Sequence, residues 1–357
     1  MRLIATLFRK HAITARRQPV ALALLIALLL IGLLSRCAAP APIHLLVGSS
    51  MGTSWSVQVV APEAQLPGLQ VLIESELASV VAQMSAWEAD SDLSRFNRAP
   101  AESWQALPQP LFEVFAHALN LARETDGAYD PTVAPLVELW GFGATVAPRS
   151  EPPLPAEVER ARAQVGWQNI ELDPIQHRAR QPGGASMDVS SLGPGHAIDR
   201  IGARLRERGV SIFLIELGGE MLAAGHKPGG ESWRVAVEPA MTDARGGAYY
   251  DTVIALDDIA AGSSGDYRVG FEHAGRRYSH TLDPRTGEPV THDLAGVTAL
   301  ADTAMQADAL AAALMVLGPE EGLRFASERD VAAVFTRRTP AGFVRVATPA
   351  FERHRAP

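Results

Sequence analysis

The chain has 357 residues, of which 47% are hydrophobic, and this length allows a large core in one domain or in two. Its 40 acidic and 32 basic residues give a net charge of -8, and the basic residues are scattered along the chain. A nucleic-acid-binding protein usually concentrates positive charge on one surface, so the composition disfavours that class.

The first 37 residues differ from the rest of the chain. Residues 1–19 carry five Arg or Lys residues and no acidic residue, and they precede the apolar run VALALLIALLLIGLL at residues 20–34. This pattern is typical of a signal sequence or an N-terminal membrane anchor. Because the run is shorter than the roughly 20 residues of a full span, removal or lipid attachment competes with a permanent helix. Each alternative places the remaining chain outside the cytoplasm.

Cys37, the only cysteine, directly follows the apolar run in LLSRC. This segment resembles a bacterial lipobox with acceptable residues at Leu34 and Ser35, but Arg36 stands where a small residue is expected. An acylated cysteine and a spare thiol are therefore both open. We divide the chain into a signal or anchor at 1–37, a Pro/Ala linker at 38–44 and one globular unit at 45–357. Since the unit contains no cysteine, no disulfide framework is expected.

Residues 45–357 combine helical and strand patterns. Apolar side chains recur at helical spacing at Leu69, Leu72, Ile73, Leu77, Val80, Val81 and Met84, at Leu111, Phe115, Leu119 and Ala122, and at Ile198, Ile201 and Leu205. Strand patterns occur in SWSVQVV, SIFLIEL, WRVAVEP and DTVIAL. This mixture predicts an α+β fold with helices packed on a largely antiparallel sheet.

The first two segments with functional potential lie near the start of this unit. In SSMGTSWSV, Gly52 would allow close backbone approach and Met51 would offer an adaptable apolar surface, although a plain turn explains both. In MSAWEADSDLSRFN, the serines and Asn97 are interpreted as capping residues. Trp87 is different, because its planar ring could stack on a base or an isoalloxazine ring.

Two glycine-containing turns follow along the chain. In TDGAYDPTV, consecutive turns place Tyr129 beside Asp130 and would expose backbone N–H groups, which suits a phosphate site or merely a double turn. In SMDVSSLGPGHAIDR, a glycine-bearing loop enters a helix, and a helix N-terminus can bind an anion. Asp188 in that loop suits a sugar hydroxyl or a metal better than a phosphate. The loop lacks GxGxxG, so a Rossmann fold is poorly supported.

The segment RRYSHTLDPRTGEPV brings a histidine to a well-specified turn. A short strand carrying Tyr278 and His280 leads into DPRTG, where Asp283 and Gly287 occupy positions that favour a turn. The turn would fix His280 in place, which makes it a candidate general base, although a single histidine is more often structural.

The segment ADALAAALMVLG at residues 307–318 predicts a buried helix with one carboxylate. Its buried stripe is predicted at Leu310, Leu314 and Leu317. Asp308 would then lie on a neighbouring face with Ala312 and Met315. A buried carboxylate must be ion-paired, hydrogen-bonded or bound to a metal, so a metal site is one of three alternatives. Asp302, just before this segment, is interpreted as a helix N-cap.

Taken in order, several motifs closely resemble the FAD:protein FMN transferases, the ApbE-like family. They are MGTSW, MSAWEADSDLSRFN, GAYDPTVAPLVELWGFG, MDVSSLGPGHAIDR, IELGGEMLAAG, SSGDY, SHTLDPRTGEPV and ADALAAALMVLG, and they run from Met51 to Gly318. The resemblance implies a single α+β catalytic unit on the periplasmic side of a bacterial inner membrane, held there by a lipid or signal anchor.

The resemblance also implies a reaction. FMN would pass from FAD to a Thr or Ser hydroxyl of an exported or membrane redox protein through a phosphoester bond, with magnesium required and AMP released. The resemblance implies FAD contacts at Met51, Trp87, Ala128, Tyr129, Asp130, Asp188 and Thr281. It implies metal contacts at Asp308 and around Ser191. We assign His280 as the base that deprotonates the attacking hydroxyl, and Asp283 as its support.

Three positions depart from the family pattern. Pro194 stands where the family commonly has Lys or Glu near the flavin nucleotide, and Ala312 stands where a Thr commonly contributes to the metal site. Ser263 replaces a frequent Thr and keeps the hydroxyl. Water can replace the hydroxyl missing at Ala312, so weaker metal affinity is expected. The departures leave two rivals open, an FAD pyrophosphatase that gives FMN and AMP, and a flavin-binding protein with weakened catalysis.

Overall fold

A computed structural model describes residues 41–143, 146–238, 241–242, 248–266 and 269–356. The predicted signal or anchor, with Cys37, and Tyr267 of the SSGDY motif lie outside these residues. Residues 43–357 belong to one compact unit. None of the helices in the described ranges has both the length and the apolar character needed to span a membrane.

The largest sheet is antiparallel throughout. The strands are β1 (His44–Ser50), β2 (Thr53–Val59), β3 (Gln105–Ala106), β4 (Glu171–Asp173), β5 (Arg178–Arg180), β6 (Phe213–Leu217), β7 (Glu220–Ala224), β8 (Trp233–Ala236), β9 (Met241–Thr242), β10 (Ala248–Tyr249), β11 (Val253–Leu256), β12 (Ala260–Gly265), β13 (Gly270–His273), β14 (Arg276–Ser279), β15 (Leu282–Asp283), β16 (Glu288–Pro289), β17 (Leu294–Ala301), β18 (Ala332–Thr339) and β19 (Gly342–Ala347). Eight of them pair in the order β1-β2-β6-β7-β12-β17-β18-β19. Smaller sheets are β3-β5-β4, β8-β11, β9-β10, β13-β14 and β15-β16.

The helices follow the predicted apolar stripes. They are α1 (Leu66–Met84), α2 (Asp92–Asn97), α3 (Gln109–Glu124), α4 (Ala134–Leu139), α5 (Pro155–Arg162), α6 (Gly193–Glu207), α7 (Ala304–Glu328) and α8 (Pro349–Glu352), with short 3-10 turns at Glu63–Gln65 and Trp167–Asn169. The stripes on α1, α3 and α6 are buried, apart from a half-buried Val81. Helix α7 is kinked at Gly318, which has a φ of 83° and precedes Pro319. The α+β prediction is therefore confirmed.

The core occupies both faces of the main sheet, because successive residues of a strand point to opposite faces. One face packs against α1, α6 and α7 through residues that include Val57, Ile215, Leu222, Ile73, Ile198 and Ala307. The other face packs against β8, β11 and α8 through residues that include Leu214, Ala223, Leu300, Trp233, Ile254 and Phe351. The helical face carries the candidate site.

Two local predictions about α7 are wrong. The N-cap is Thr303, whose side chain accepts a hydrogen bond from the Gln306 N–H at 3.2 Å, and not Asp302. The predicted buried stripe is confirmed at Leu314 and Leu317, but Leu310 is only half-buried. The neighbouring face, with Asp308 and Met315, is buried as well, because α7 packs against both α6 and the main sheet.

Candidate functional site

The start of α7 is fixed by a carboxylate from α6. Asp199 accepts hydrogen bonds from the backbone N–H groups of Ala304, at 2.8 Å, and Met305, at 3.0 Å. These N–H groups have no partner within the helix, so Asp199 caps α7 from outside. The sequence pattern did not predict this capping role. The one signal for it was an acidic residue among the apolar helix positions of HAIDR.

Two glycines allow the elements around Asp308 to approach closely. A Cβ atom on Gly195 of α6 would lie 2.7 Å from the Met305 Cα, and a Cβ on Gly262 of β12 would lie 2.5 Å from the Ala307 carbonyl carbon. Any side chain at either position would push α7 away. The backbones of α6, α7 and β12 therefore meet around Asp308.

Asp308 is a buried acid, as the sequence predicted. Only 7% of its surface is exposed, and Gly195 donates its backbone N–H to Oδ2 over a long 3.4 Å. Burial raises the pKa of Asp308 well above its usual range, and the neighbouring charge of Glu220 raises that pKa further. Glu220 is itself buried, with 8% of its surface exposed. Glu220 stands in the IELGGE segment, whose spacing predicted no role for it in the site.

The charge of Asp308 acts on Tyr129, which in turn contacts Ser191. The Tyr129 hydroxyl and Ser191 Oγ lie 3.2 Å apart, within hydrogen-bonding distance. Burial raises the pKa of the Tyr129 hydroxyl, and the charges of Asp188 and Asp308 act in the same direction. The structure thus brings together a phenol, a serine hydroxyl and carboxylates predicted from separate motifs.

The backbone of the TDGAYD turn is already hydrogen-bonded. The Ala128 N–H donates to the Thr125 carbonyl at 3.0 Å, and the Tyr129 N–H donates to Thr125 Oγ1 at 3.1 Å. The prediction that these groups are exposed for a phosphate is therefore wrong. Ala128 is fully buried and packs in the apolar cluster that includes Leu314 and Met315 of α7.

Asp130 stabilises the same turn. Its Oδ1 accepts hydrogen bonds from the Thr132 N–H at 2.8 Å and the Thr132 hydroxyl at 2.6 Å, and its Oδ2 accepts one from the Trp167 N–H at 3.2 Å. Burial nevertheless raises the pKa of this carboxyl, against the effect of the three hydrogen bonds. Asp130 is therefore a structural anchor for Tyr129 as well as a predicted FAD contact.

The loop that leads into α6 is held at several points. The side chain of Asn97 accepts a hydrogen bond from the Met187 N–H at 2.8 Å and donates one to the Met187 carbonyl at 2.9 Å, which is a long-range role and not the predicted cap. The backbone N–H of Asp188 donates to the Pro131 carbonyl at 2.6 Å, and its side-chain Oδ1 accepts a hydrogen bond from the Ser190 N–H at 2.8 Å. Pro194 occupies the first turn of α6 and is half-buried.

Met51 lies in a two-residue hairpin turn between β1 and β2. Ser50 pairs with Thr53, and both Met51 and Gly52 have positive φ, at 51° and 74°. The turn therefore favours glycine at position 52 because of its positive φ. The predicted close approach of another backbone is not the reason, because a Cβ on Gly52 would meet nothing within 4 Å. Trp87, after α1, has 74% of its surface exposed and can stack on a ligand.

A cavity of about 530 Å³ separates this hairpin from α1 and the loop after it. Its lining includes Ser50, Trp55, Leu77 and Glu88. Ser50 precedes Met51 and Glu88 follows Trp87, so the cavity adjoins both predicted flavin contacts. Its size lies in the range of small-molecule sites. The lining does not include Tyr129 or Asp308, so this cavity is separate from the buried carboxylates.

His280 is fixed by two contacts. Its Nδ1 lies 3.3 Å from the Val269 carbonyl, and the Phe142 ring meets the imidazole edge-on with centroids 6.3 Å apart. A carbonyl only accepts, so Nδ1 carries the proton in the neutral ring and Nε2 is left as the acceptor. Burial lowers the pKa of His280. The imidazole is thus held neutral, as a general base requires.

Asp283 does not contact His280 in the way we predicted. Its carboxylate accepts hydrogen bonds from the Arg285 N–H at 2.9 Å and from the Arg285 side chain at 3.0 Å. The same turn is closed by the Gly287 N–H, which donates to the Asp283 carbonyl at 2.8 Å, and Trp140 Nε1 donates to the Gly287 carbonyl at 2.9 Å. Asp283 therefore supports the segment after His280 and does not support the imidazole directly.

The remaining predicted residues have clear positions. Thr281 directly follows His280, and its N–H donates to Ser279 Oγ at 3.0 Å. Ala312 lies one turn after Asp308 on α7 and is half-buried. Ser263 Oγ lies 2.8 Å from Thr298 Oγ1 on the paired strand, so its hydroxyl has a partner. Among the described residues, no group of three or more His, Cys, Asp or Glu side chains is gathered in a way that could hold a metal ion.

Residues 51–335 match the model of the ApbE family. The chain belongs to the ApbE family. An FAD:protein FMN transferase from Haemophilus influenzae is 34% identical over 90% of this chain and 94% of the relative. One from Vibrio cholerae is 34% identical over 92% of this chain and 97% of the relative.

Solved ApbE structures have the same fold. The apo flavinyl transferase ApbE of Pseudomonas stutzeri superimposes with a TM-score of 0.81 at 37% identity, covering 89% of this chain and 98% of that chain. The flavin transferase ApbE of Vibrio cholerae gives a TM-score of 0.80 at 31% identity, covering 88% of this chain and all of that chain. The ApbE family assignment thus rests on sequence and fold together.

Proposed function

We propose that this chain is an FAD:protein FMN transferase that moves FMN from FAD to a Thr or Ser hydroxyl of a target protein and releases AMP. The chain matches relatives named FAD:protein FMN transferase over nearly their whole length. The observation that carries the proposal is the buried Asp308 carboxylate of α7, which accepts the Gly195 N–H from the first turn of α6. Its charge acts on the Tyr129 hydroxyl, which contacts Ser191.

Magnesium is part of the proposal, and the donor set fits it. Asp308 and Ser191 would hold the ion, and both offer oxygen, the donor type that magnesium prefers. A buried acid whose pKa is raised is also stabilised by a bound cation. Magnesium usually needs only one or two carboxylates, with phosphate and water oxygens completing its shell. The lack of a three-residue cluster in the part of the chain that the structure describes therefore does not count against it. When bound, the ion would neutralise charge on the pyrophosphate.

His280 would move the proton of the reaction. The acceptor hydroxyl oxygen forms a bond to the phosphorus of the FMN half of FAD, and the bond from that phosphorus to the bridging oxygen breaks. AMP leaves with the bridging oxygen, and the hydroxyl proton passes to Nε2 of His280. The contact of Nδ1 with the Val269 carbonyl supports this assignment, because it leaves Nε2 free to accept.

The acceptor is proposed to be an exported or membrane redox protein. This part of the proposal rests on the basic and apolar N-terminal sequence, which predicts a lipid or signal anchor on the periplasmic side of a bacterial inner membrane. Mass spectrometry of the mature N-terminus tests it. A chain that begins at an acylated Cys37 supports the lipid anchor, and an uncleaved chain without acylation supports the signal anchor.

The test of the reaction uses the full chain with FAD, magnesium and a candidate acceptor protein. Flavin fluorescence on the denatured acceptor, together with AMP, supports the transferase. AMP without labelled acceptor supports the pyrophosphatase, and FAD that binds but survives supports a flavin carrier. We expect Asp308→Ala to abolish magnesium-dependent turnover and His280→Ala to abolish transfer while FAD still binds. Unchanged turnover in either variant would remove the corresponding assignment.

A further inference from the structure

Asp266, the residue that directly follows β12, is held in place by Arg338 of β18. The guanidinium of Arg338 grips the Asp266 carboxylate with two nitrogens: Nη1 lies 3.0 Å from Oδ2, and Nη2 contacts Oδ1. Nη1 also donates to the Leu294 carbonyl at 3.1 Å. Only 7% of the surface of Asp266 is exposed. Because a planar guanidinium binds both carboxylate oxygens at once, it fixes the orientation of Asp266 as well as its position.

The backbone of Asp266 joins the main sheet to the hairpin β13–β14. Its N–H donates to the Ala295 carbonyl of β17 at 3.1 Å, and its carbonyl accepts a hydrogen bond from Nη2 of Arg277 at 2.5 Å. Arg277 lies on β14, three residues before His280. Because this hairpin lies outside the main sheet, the contact between Asp266 and Arg277 attaches the histidine segment to the sheet.

Strand β12 also carries the contact that positions Asp308. A Cβ on Gly262, four residues before Asp266, would collide with the α7 backbone at Ala307 and Asp308. The strand is hydrogen-bonded on both sides, to β7 and to β17. The proposed cation site and the proposed base, His280, are therefore attached to the same central strand.

The charges of this network act on His280. Burial lowers the pKa of the imidazole, the contact with the Val269 carbonyl and the charge of Asp266 raise it, and the charge of Arg277 lowers it again. Because the ion pair with Arg338 neutralises part of the Asp266 charge, the same contacts that hold the segment also set the basicity of the imidazole.

We infer that Asp266 and Arg338 are positioning residues for His280 in the proposed reaction. This inference rests on the proposed function. Arg338 fixes Asp266, the Asp266 carbonyl fixes Arg277, and the base is thereby held at a set distance from β12. Asp266 thus takes the supporting role that the sequence predicted for Asp283, whose carboxylate is bonded within its own turn.

The experiment measures FMN transfer by the full-length protein with FAD, magnesium and an acceptor protein. Arg338→Gln should lower kcat about tenfold, because a displaced base loses rate, while KM for FAD and the affinity for magnesium stay unchanged. Arg338→Lys keeps one charged hydrogen bond to Asp266 and should restore part of the rate.

Arg337→Gln is the matched control. The Arg337 side chain is 37% exposed and that of Arg338 is 36% exposed, but Arg337 pairs with Asp293 and Glu320 and not with Asp266. This variant should transfer FMN at the wild-type rate.

The pH dependence of kcat separates positioning of His280 from a general loss of structure. Asp266→Asn removes a charge that favours the protonated imidazole, so the acidic limb of the rate should shift to lower pH. Arg338→Gln leaves that charge without its guanidinium, so the same limb should shift to higher pH. Histidine NMR of the full-length protein, with the resonance assigned from His280→Ala, measures both shifts without the reaction. A variant that is only less stable shows a lower melting temperature and no shift.

The outcomes distinguish this inference from the proposed function. Wild-type protein that labels its acceptor, with Arg338→Gln equal to it in rate and pH profile, would overturn only the role of Asp266 and Arg338. Wild-type protein that labels no acceptor would overturn the proposed function, and the NMR titration then decides whether the network acts on His280. If Arg338→Gln does not fold, Asp266→Asn carries the test, and an unchanged pKa of His280 in that variant would overturn the inference.

Discussion

Gly262→Ala tests whether close backbone packing positions Asp308. The added Cβ would lie 2.5 Å from the Ala307 carbonyl carbon, whereas carbon atoms at rest lie about 3.5 Å apart. Helix α7 must therefore move by about 1 Å, and overpacking of this kind costs about 1–3 kcal/mol of stability. Because a 1 Å misplacement at a reaction centre can cost ~100-fold in rate, we expect FMN transfer to fall by about that factor.

Urea unfolding measures the loss of stability in this variant, and the flavin-transfer assay measures the fall in rate. Gly68→Ala is the matched control, because Gly68 lies within α1 with nothing within 4 Å of its Cβ position. That control should stabilise the protein by about 0.5–1 kcal/mol. If Gly262→Ala unfolds at the wild-type urea concentration and transfers FMN normally, the contact between β12 and α7 does not position Asp308.

Three further predictions concern the surroundings of the site. Asp199→Ala removes the cap of α7 and should lower the free energy of unfolding by about 2 kcal/mol in urea, and an unchanged midpoint would contradict the cap. Burial lowers the pKa of His196 from 6.5 to about 4, so between those pH values only the unfolded chain takes up the proton. Stability should fall by about 3 kcal/mol as pH drops through that window, and His196→Phe should abolish this dependence. Phe142→Ala should expose His280 and raise its pKa, so the acidic limb of the transfer rate should shift to higher pH, while Phe142→Trp should shift it less.

Sequence predicted the parts of this fold that depend on local pattern. The apolar stripe of α6 and the burial of Asp308 follow from residues close in the chain. Asp199 was missed because it caps α7, which lies more than 100 positions further along the chain. Glu220 was missed because its charge acts on Asp308 of the same distant helix. Asn97 illustrates the same limit. Its local sequence predicted a helix cap, but its side chain hydrogen-bonds to Met187, 90 positions away. Side-chain partners across the fold cannot be read from spacing.

The site residues are carried by two kinds of scaffold. Asp308 stands on α7, which α6 and the main sheet enclose, whereas His280 follows the hairpin β13–β14, which is outside the main sheet. That hairpin is held by stacked rings, with Phe271 and Tyr278 5.0 Å apart and Tyr278 and Trp140 5.7 Å apart.

Changes in the ring stack should therefore alter proton transfer without altering magnesium affinity, and changes at Ala312 should do the reverse. Effects on sites that share no contacts add. Ala312→Thr should raise the affinity for magnesium. A protein that combines Phe142→Ala with Ala312→Thr should thus show the pH shift of the first variant and the magnesium affinity of the second. A pH shift that disappears in the combination would show that the cation site and the histidine are coupled.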